Sequence, residues 1–177
     1  MGGKFFYFAY GSNLLAKRIH INNPSAIRIS AAKLKDFRLD FGTWAERWRG
    51  AVATLVPEQG KHVWGAVWEI DKSNLADLDR QEGVNDGFYF PMQVDVEKLS
   101  GEFVNCRSYQ LCDTPTKISE GDIIPENRLP SALYLDVVIQ GAIESGLPDD
   151  YINQLKKIQH NGYEGVGNKL QFLISSQ

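Results

Sequence analysis

Two short stretches of this 177-residue sequence hold residues whose types and spacing could do chemistry. In the first, Gly11, Ser12 and Asn13 follow six apolar or aromatic residues, Phe5 to Tyr10, and precede Leu14, Leu15, Ala16, Lys17 and Arg18. The six read as a short buried strand, and the five suit a helix. Gly11 permits backbone conformations that other residues resist, and Ser12 and Asn13 are both good helix N-caps. A strand, a tight glycine turn and a helix N-terminus would aim several backbone N–H groups at one spot, where an anion or an oxyanion could sit. An ordinary strand-to-helix turn has the same pattern, and these residues alone do not separate the two.

The second stretch is "NLADLDRQEG" at 74–83. It reads as a helix capped by Asp71 or Ser73 and ended by Gly83, with Glu82 in its last turn. There the helix dipole disfavours an anion by about 0.3–1 kcal/mol, and Asp77 and Asp79 add negative charge. Both effects, and burial, raise a carboxyl pKa, which is what a proton-transfer group working near neutrality needs. A solvated glutamate at a wet helix end is the plainer alternative. Ser12 makes a poor nucleophile, because no His is placed to activate it. No Walker loop, no G-x-G-x-x-G after a strand and no G-x-S-x-G elbow is present, and the glycines of "GYEGVG" precede no helix.

Composition narrows the partners. A formal net charge of −3 gives no electrostatic footprint for nucleic acid. No apolar run nears the ~20 residues of a membrane span, and the N-terminal aromatic block is too short for a signal-peptide core. Gly2 lacks the Ser or Thr that myristoylation wants at the position of Phe6. Cys106 and Cys112, six residues apart along one strand or its end, would stand roughly 20 Å apart and read as free thiols. A cytoplasmic protein is the expectation. His20, His62 and His160 share no metal-type spacing, so no metal site is expected.

The elements that must position these residues form one domain. Strands are expected at Ala26–Leu34, Phe37–Phe41 and Ala51–Val56, the last ended by Pro57. Another is expected at His62–Ile70, where Trp64, Ala66, Trp68 and Ile70 alternate onto one face of a half-buried strand. Phe88–Val96 and Glu102–Leu111 read as a hairpin about "KLSGE". Residues 112–130 lack periodicity and read as a long loop. Ser131 caps a helix through about Ser145, and a second helix runs from Asp149 to Gln159 with Tyr151, Ile152, Leu155 and Ile158 on one face. Strands first and long helices last give an α+β domain, and the repeated short strands also allow a small barrel.

These motifs, in this order, carry a resemblance. "YFAYGSNLL" at 7–15, "NPSA" at 23–26, "LDFG" at 39–42, "VWGAVW" at 63–68, "LDRQEGV" at 78–84, "CRSY" at 106–109, Tyr134 and "GLP" at 146–148 resemble the γ-glutamylcyclotransferases. The likeness runs from about Tyr7 to Tyr163. It departs at 113–130, and the tail after about 163 carries none of it. The resemblance implies a compact mixed β-barrel surrounded by helices. It implies release of a γ-glutamyl group as 5-oxoproline, without cofactor or metal, with Glu82 as general acid and base. Substrate contact would fall on Tyr7, Phe8, Ala9, Tyr10, Gly11, Ser12, Asn13 and Leu14, with Tyr134 beside them. The partner is then a small γ-glutamyl substrate in glutathione metabolism. A homodimer is also implied, and Trp44 and Trp48 of "FGTWAERWRG" are the candidate surface. A γ-glutamylamine substrate, or a non-catalytic binding module on the same fold, are the alternatives.

Overall fold

Five strands close into a barrel in the computed structural model, which describes residues 2–167. They are β1 (Lys4–Ala9), β2 (Ile27–Ala45), β3 (Gly50–Asp71), β4 (Tyr89–Lys98) and β5 (Phe103–Leu111), in the spatial order β1-β3-β2-β4-β5. Four seams are antiparallel, and β1 closes the barrel against β5 in parallel at Tyr7 and Arg107. The fold is therefore the expected mixed barrel. The tail after about 163 is described to Gly167, and 168–177 lie outside the described residues.

Two breaks expected between strands do not occur. Ala26–Leu34 and Phe37–Phe41 are parts of β2, and the runs on either side of Pro57 are parts of β3. The ladder absorbs both irregularities at once. Asp36 adopts φ 63° at a register shift between Lys35 and Phe37, and Pro57 pairs with Phe37 just beyond it. A proline lacks an N–H, so it is tolerated where the ladder is already interrupted. The result is one long bent hairpin whose tip, residues 46–49, swings over an end of the barrel.

β3 is more deeply buried than its alternation predicted. Ala66, Trp68 and Ile70 are buried, but so are Val63 and Val67 on the opposite face. The Arg28 guanidinium lies 4.4 Å from the Trp68 ring centroid, and the His20 ring also packs on that indole. Arg28 and His20 thus cover Trp68, while Trp64 on the same face stays half-exposed.

Four α-helices stand among the described residues: α1 (Ala16–Ile19), α2 (Leu75–Gln81), α3 (Ala132–Glu144) and α4 (Asp149–Lys156). Ser131 caps α3 as expected, its hydroxyl accepting from the Tyr134 N–H at 3.0 Å. α4 is shorter than expected and buries Tyr151, Ile152 and Leu155. Cys106 is buried on β5 and Cys112 is exposed just past it, and both are free thiols.

Candidate active site

Where β1 ends, the chain opens onto a cavity of about 350 Å³. Its walls come from the 10–13 turn, the end of α2, the hairpin tip and the start of α3. A second depression of about 590 Å³ lies between β2 and residues 117–130. There Arg38 and Arg128 both pair with Asp40, and Lys117 pairs with Glu58, so these three cations already have carboxylates within the protein. The first cavity holds the sequence-derived residues and is the candidate active site.

The turn differs in detail from the expected helix N-terminus. Ser12–Leu14 form one 3-10 turn, and α1 is only four residues long, so no long helix lends its dipole. Neither Ser12 nor Asn13 caps it through its side chain. Gly11 has φ −114°, outside the left-handed region. What it requires is close approach: a Cβ there would stand 3.1 Å from the Tyr134 hydroxyl. The N–H groups of Leu14 and Leu15 close back onto the carbonyls of Gly11 and Ser12. Those of Gly11, Ser12 and Asn13 bond to no other described residue. Three donors therefore remain beside the cavity.

α3 holds this turn in place. A Cβ on Gly141 would come within 2.6 Å of Leu14 Cβ and of the Leu15 nitrogen, so only glycine lets the helix pack this close. The Leu14 carbonyl accepts from Ser145 Oγ at 3.1 Å and from Arg28 Nη2 at 3.0 Å. The Ala16 N–H donates to the Glu144 carboxylate at 2.9 Å.

Glu82 sits at the end of α2, where Gly83 turns the chain with φ 65°. Its Oε1 accepts from Asn13 Nδ2 at 3.4 Å, and the same amide donates to the Tyr7 hydroxyl at 3.2 Å. Gln81 Nε2 donates to Asn13 Oδ1 at 3.1 Å and fixes which way that amide points. No salt bridge reaches Glu82 from the described residues. Desolvation therefore pushes its carboxyl up to about 7, with the Arg18 charge opposing and the Asp79 charge adding. Burial outweighs the neighbouring charge that the sequence also pointed to.

The remaining sequence-derived residues divide between cavity and core. Tyr7, Tyr10, Gly11, Ser12, Asn13 and Tyr134 line the cavity with Glu82. Phe8, Ala9 and Leu14 do not: all three are fully buried in the core, Phe8 on the face of β1 opposite Tyr7, Ala9 a short side chain at the strand's end, and Leu14 packed under α3. Tyr134 is both a core residue and a cavity residue. Its hydroxyl accepts from the Ala53 N–H at 3.0 Å, which leaves its own proton free to donate. Trp48, expected on a surface, is 5% exposed and packs on Tyr134 with ring centroids 4.9 Å apart. Trp44 alone of that pair is exposed.

Sequence reasoning missed Arg18, Arg47, Tyr89 and Tyr109, which complete the walls. Arg18 gave no signal because a basic residue after a turn reads as solvated surface, and its burial depends on contacts with a distant hairpin. Among the described residues no group of three or more His, Cys, Asp or Glu could hold a metal ion, and no helix is long and apolar enough to cross a membrane.

Known proteins share both the sequence and the fold of this chain. The AIG2-like family model matches residues 62–155, more than half of the chain. A Bos taurus protein named gamma-glutamylcyclotransferase is 45% identical over 98% of this chain and 89% of its own length. The Homo sapiens protein of that name is 43% identical over 96% of this chain and 87% of its own. A solved structure titled gamma-glutamyl cyclotransferase superposes with a TM-score of 0.83 at 41% identity, covering 97% of this chain and 98% of that one. Identity at this level, spread over nearly the whole length of both partners and matched by the barrel, leaves no room for a shared fold alone: the chain belongs to the γ-glutamylcyclotransferase family.

Proposed function

We propose that the protein converts γ-glutamyl amino acids to 5-oxoproline and the free amino acid, with Glu82 carrying the proton. The observation that supports this most is the Glu82 carboxyl, raised to about 7 in a cavity beside the three unpaired N–H groups of Gly11–Asn13. An α-ammonium cannot attack a carbonyl, so a base must first take a proton from it. A carboxylate with a pKa near neutrality can take that proton and later return it.

The steps follow from this placement. Glu82 removes one proton from the α-ammonium, and the freed amine attacks the γ-carbonyl carbon to close the five-membered ring. The carbonyl oxygen becomes an oxyanion and receives hydrogen bonds from the turn and from the Tyr134 hydroxyl. As the old C–N bond breaks, the second proton of the attacking nitrogen passes to the departing nitrogen. The released amine takes its last proton from Glu82, which is ionised again. Ring closure is intramolecular, so the cavity's main task is to fold the substrate and hold it.

The reading extends to place and assembly. A cytoplasmic location is supported by the two free thiols. Assembly as a homodimer is part of the reading, with exposed Trp44 as the surface residue, and sedimentation at micromolar concentration tests it. For the activity, purified protein is incubated with a panel of γ-glutamyl dipeptides and γ-glutamylamines and assayed for 5-oxoproline. Release from the dipeptides supports the enzyme. Binding without release from any of them would leave a non-catalytic module.

A further inference from the structure

Arg18 is the oddest charge in the molecule. It is 4% exposed, lines the cavity, and its side chain makes no hydrogen bond or salt bridge to a described residue. Its Nε is buried without a partner, and its guanidinium lies 5.3 Å from the Trp48 ring centroid. A buried guanidinium without an anion in contact is costly, and cation–π contact with one indole and the more distant Glu82 charge offset only part of that cost. Burial and the nearby Arg47 charge both press on it, lowering its pKa to about 10, so its proton is still held at neutral pH. Arg47 lines the same wall. The Glu82 charge reaches Arg18 only across the cavity, so the Arg18 side chain has room for a carboxylate in direct contact, and such a group can come from what the cavity holds.

We propose that Arg18, with Arg47 beside it, is the carboxylate-binding site of this cavity and selects substrates by that group. This rests on the γ-glutamyl reading, which supplies the ligand. A γ-glutamyl amino acid brings two carboxylates, one on the glutamyl α-carbon and one on the departing amino acid. A γ-glutamylamine brings only the first. A planar guanidinium can take either carboxylate through two parallel hydrogen bonds, which an ammonium cannot reproduce.

The test compares γ-glutamyl-alanine with two neutral isosteres, one amidated at the alanine carboxylate and one at the glutamyl α-carboxylate. Wild-type protein is expected to prefer the full dipeptide by at least about tenfold in kcat/KM over whichever isostere lacks the group that Arg18 holds, mainly through KM. Arg18→Gln should lose that preference, and Arg18→Lys should keep only part of it. The isostere penalised by wild type but not by Arg18→Gln identifies the carboxylate. If Arg18→Gln keeps both wild-type preferences, the proposal is overturned. Should Arg18→Gln fail to fold, Arg18→Lys is read alone, and an unchanged preference overturns the proposal equally. Calorimetric binding of N-acetyl-γ-glutamyl-alanine and its two amides, which cannot cyclise, reads the same contrast without turnover. Absence of 5-oxoproline from wild type with a preserved binding contrast would sink the activity and leave the Arg18 site standing.

Discussion

Asp79 and Glu82 lie one turn apart on the same short helix, yet the barrel gives them opposite surroundings. Asp79 faces the β1–β5 seam, where Arg107 Nη2 reaches both of its oxygens at 2.8 and 2.9 Å and the Tyr109 hydroxyl donates to it as well. Glu82 faces the cavity and has one amide hydrogen bond at 3.4 Å. The first carboxylate is neutralised by a fork that matches it, so it has a structural task. The second lacks a cation in contact, and desolvation holds its pKa at about 7. The same side-chain chemistry is a clamp at Asp79 and, in the proposed reaction, a proton carrier at Glu82, three residues on where α2 ends.

Replacing Glu82 with Gln should have the largest effect. An amide keeps the shape but cannot accept a proton from an ammonium, so kcat/KM should fall by about 10²–10⁴. In wild type the base must be ionised to begin, so kcat/KM should drop on the acid side with an apparent pKa near 7. Stability should move the other way. The folded state binds more protons than the unfolded chain between the ordinary value of 4.5 and about 7, so wild-type stability falls as pH rises through that window. Glu82→Gln removes this titration, and its melting temperature should gain on wild type from pH 4.5 up to about 7 and then hold constant. A folded Glu82→Gln protein that still releases 5-oxoproline at wild-type rates would place the base elsewhere.

The turn opposite Glu82 comes next. Gly11→Ala introduces a Cβ 3.1 Å from the Tyr134 hydroxyl, so either the turn or the tyrosine must shift by a few tenths of an ångström. Displacing donors aimed at an oxyanion costs catalysis more than folding, and a fall of about tenfold to a hundredfold in kcat is expected. Turnover and melting temperature measured side by side decide it. Unchanged kcat in the folded variant removes the turn from the mechanism.

Much of this comparison was legible in the sequence, for physical reasons specific to each part. Glu82 stood out because a carboxylate at a helix C-terminus breaks a local rule, and Ser131 was found because capping is local. The long hairpin was not, since Pro57 and Asp36 look like breaks along the chain and only their mutual register turns them into one bulge. Trp48 and Arg18 were missed for the same kind of reason. Arg18 packs on Trp48 and Trp48 on Tyr134, residues separated by tens of positions, and no periodicity records that. The neutralisation of Asp79 likewise needs Arg107 from across the barrel seam.

Asp79→Asn sharpens the contrast from the structural side. It should cost about 1–3 kcal/mol of stability, because charge-assisted hydrogen bonds are lost and the partly buried Arg107 keeps its charge. Turnover of the folded protein should stay far above that of Glu82→Gln. Denaturant unfolding and steady-state kinetics on the same preparation check both halves. Loss of turnover as deep as that of Glu82→Gln would mean that the two carboxylates share the proton work.

Tyr134→Phe should have the smallest effect on activity, and it tests whether the cavity wall or the core owns this residue. The ring is buried between Phe41 and Trp48, and phenylalanine fills that space equally well. What disappears is a hydroxyl that accepts from the Ala53 N–H and has its own proton to give. The Ala53 N–H faces the cavity lining, so water can take over as its acceptor and the protein should still fold. Substrate loses one neutral hydrogen bond, about 0.5–1.5 kcal/mol, which corresponds to a KM roughly two- to tenfold higher. If the hydroxyl donates mainly to the oxyanion, kcat falls by a similar factor and KM stays put. The split between KM and kcat therefore reports where along the reaction the Tyr134 proton is used, and wild-type values for both would assign the side chain to packing alone.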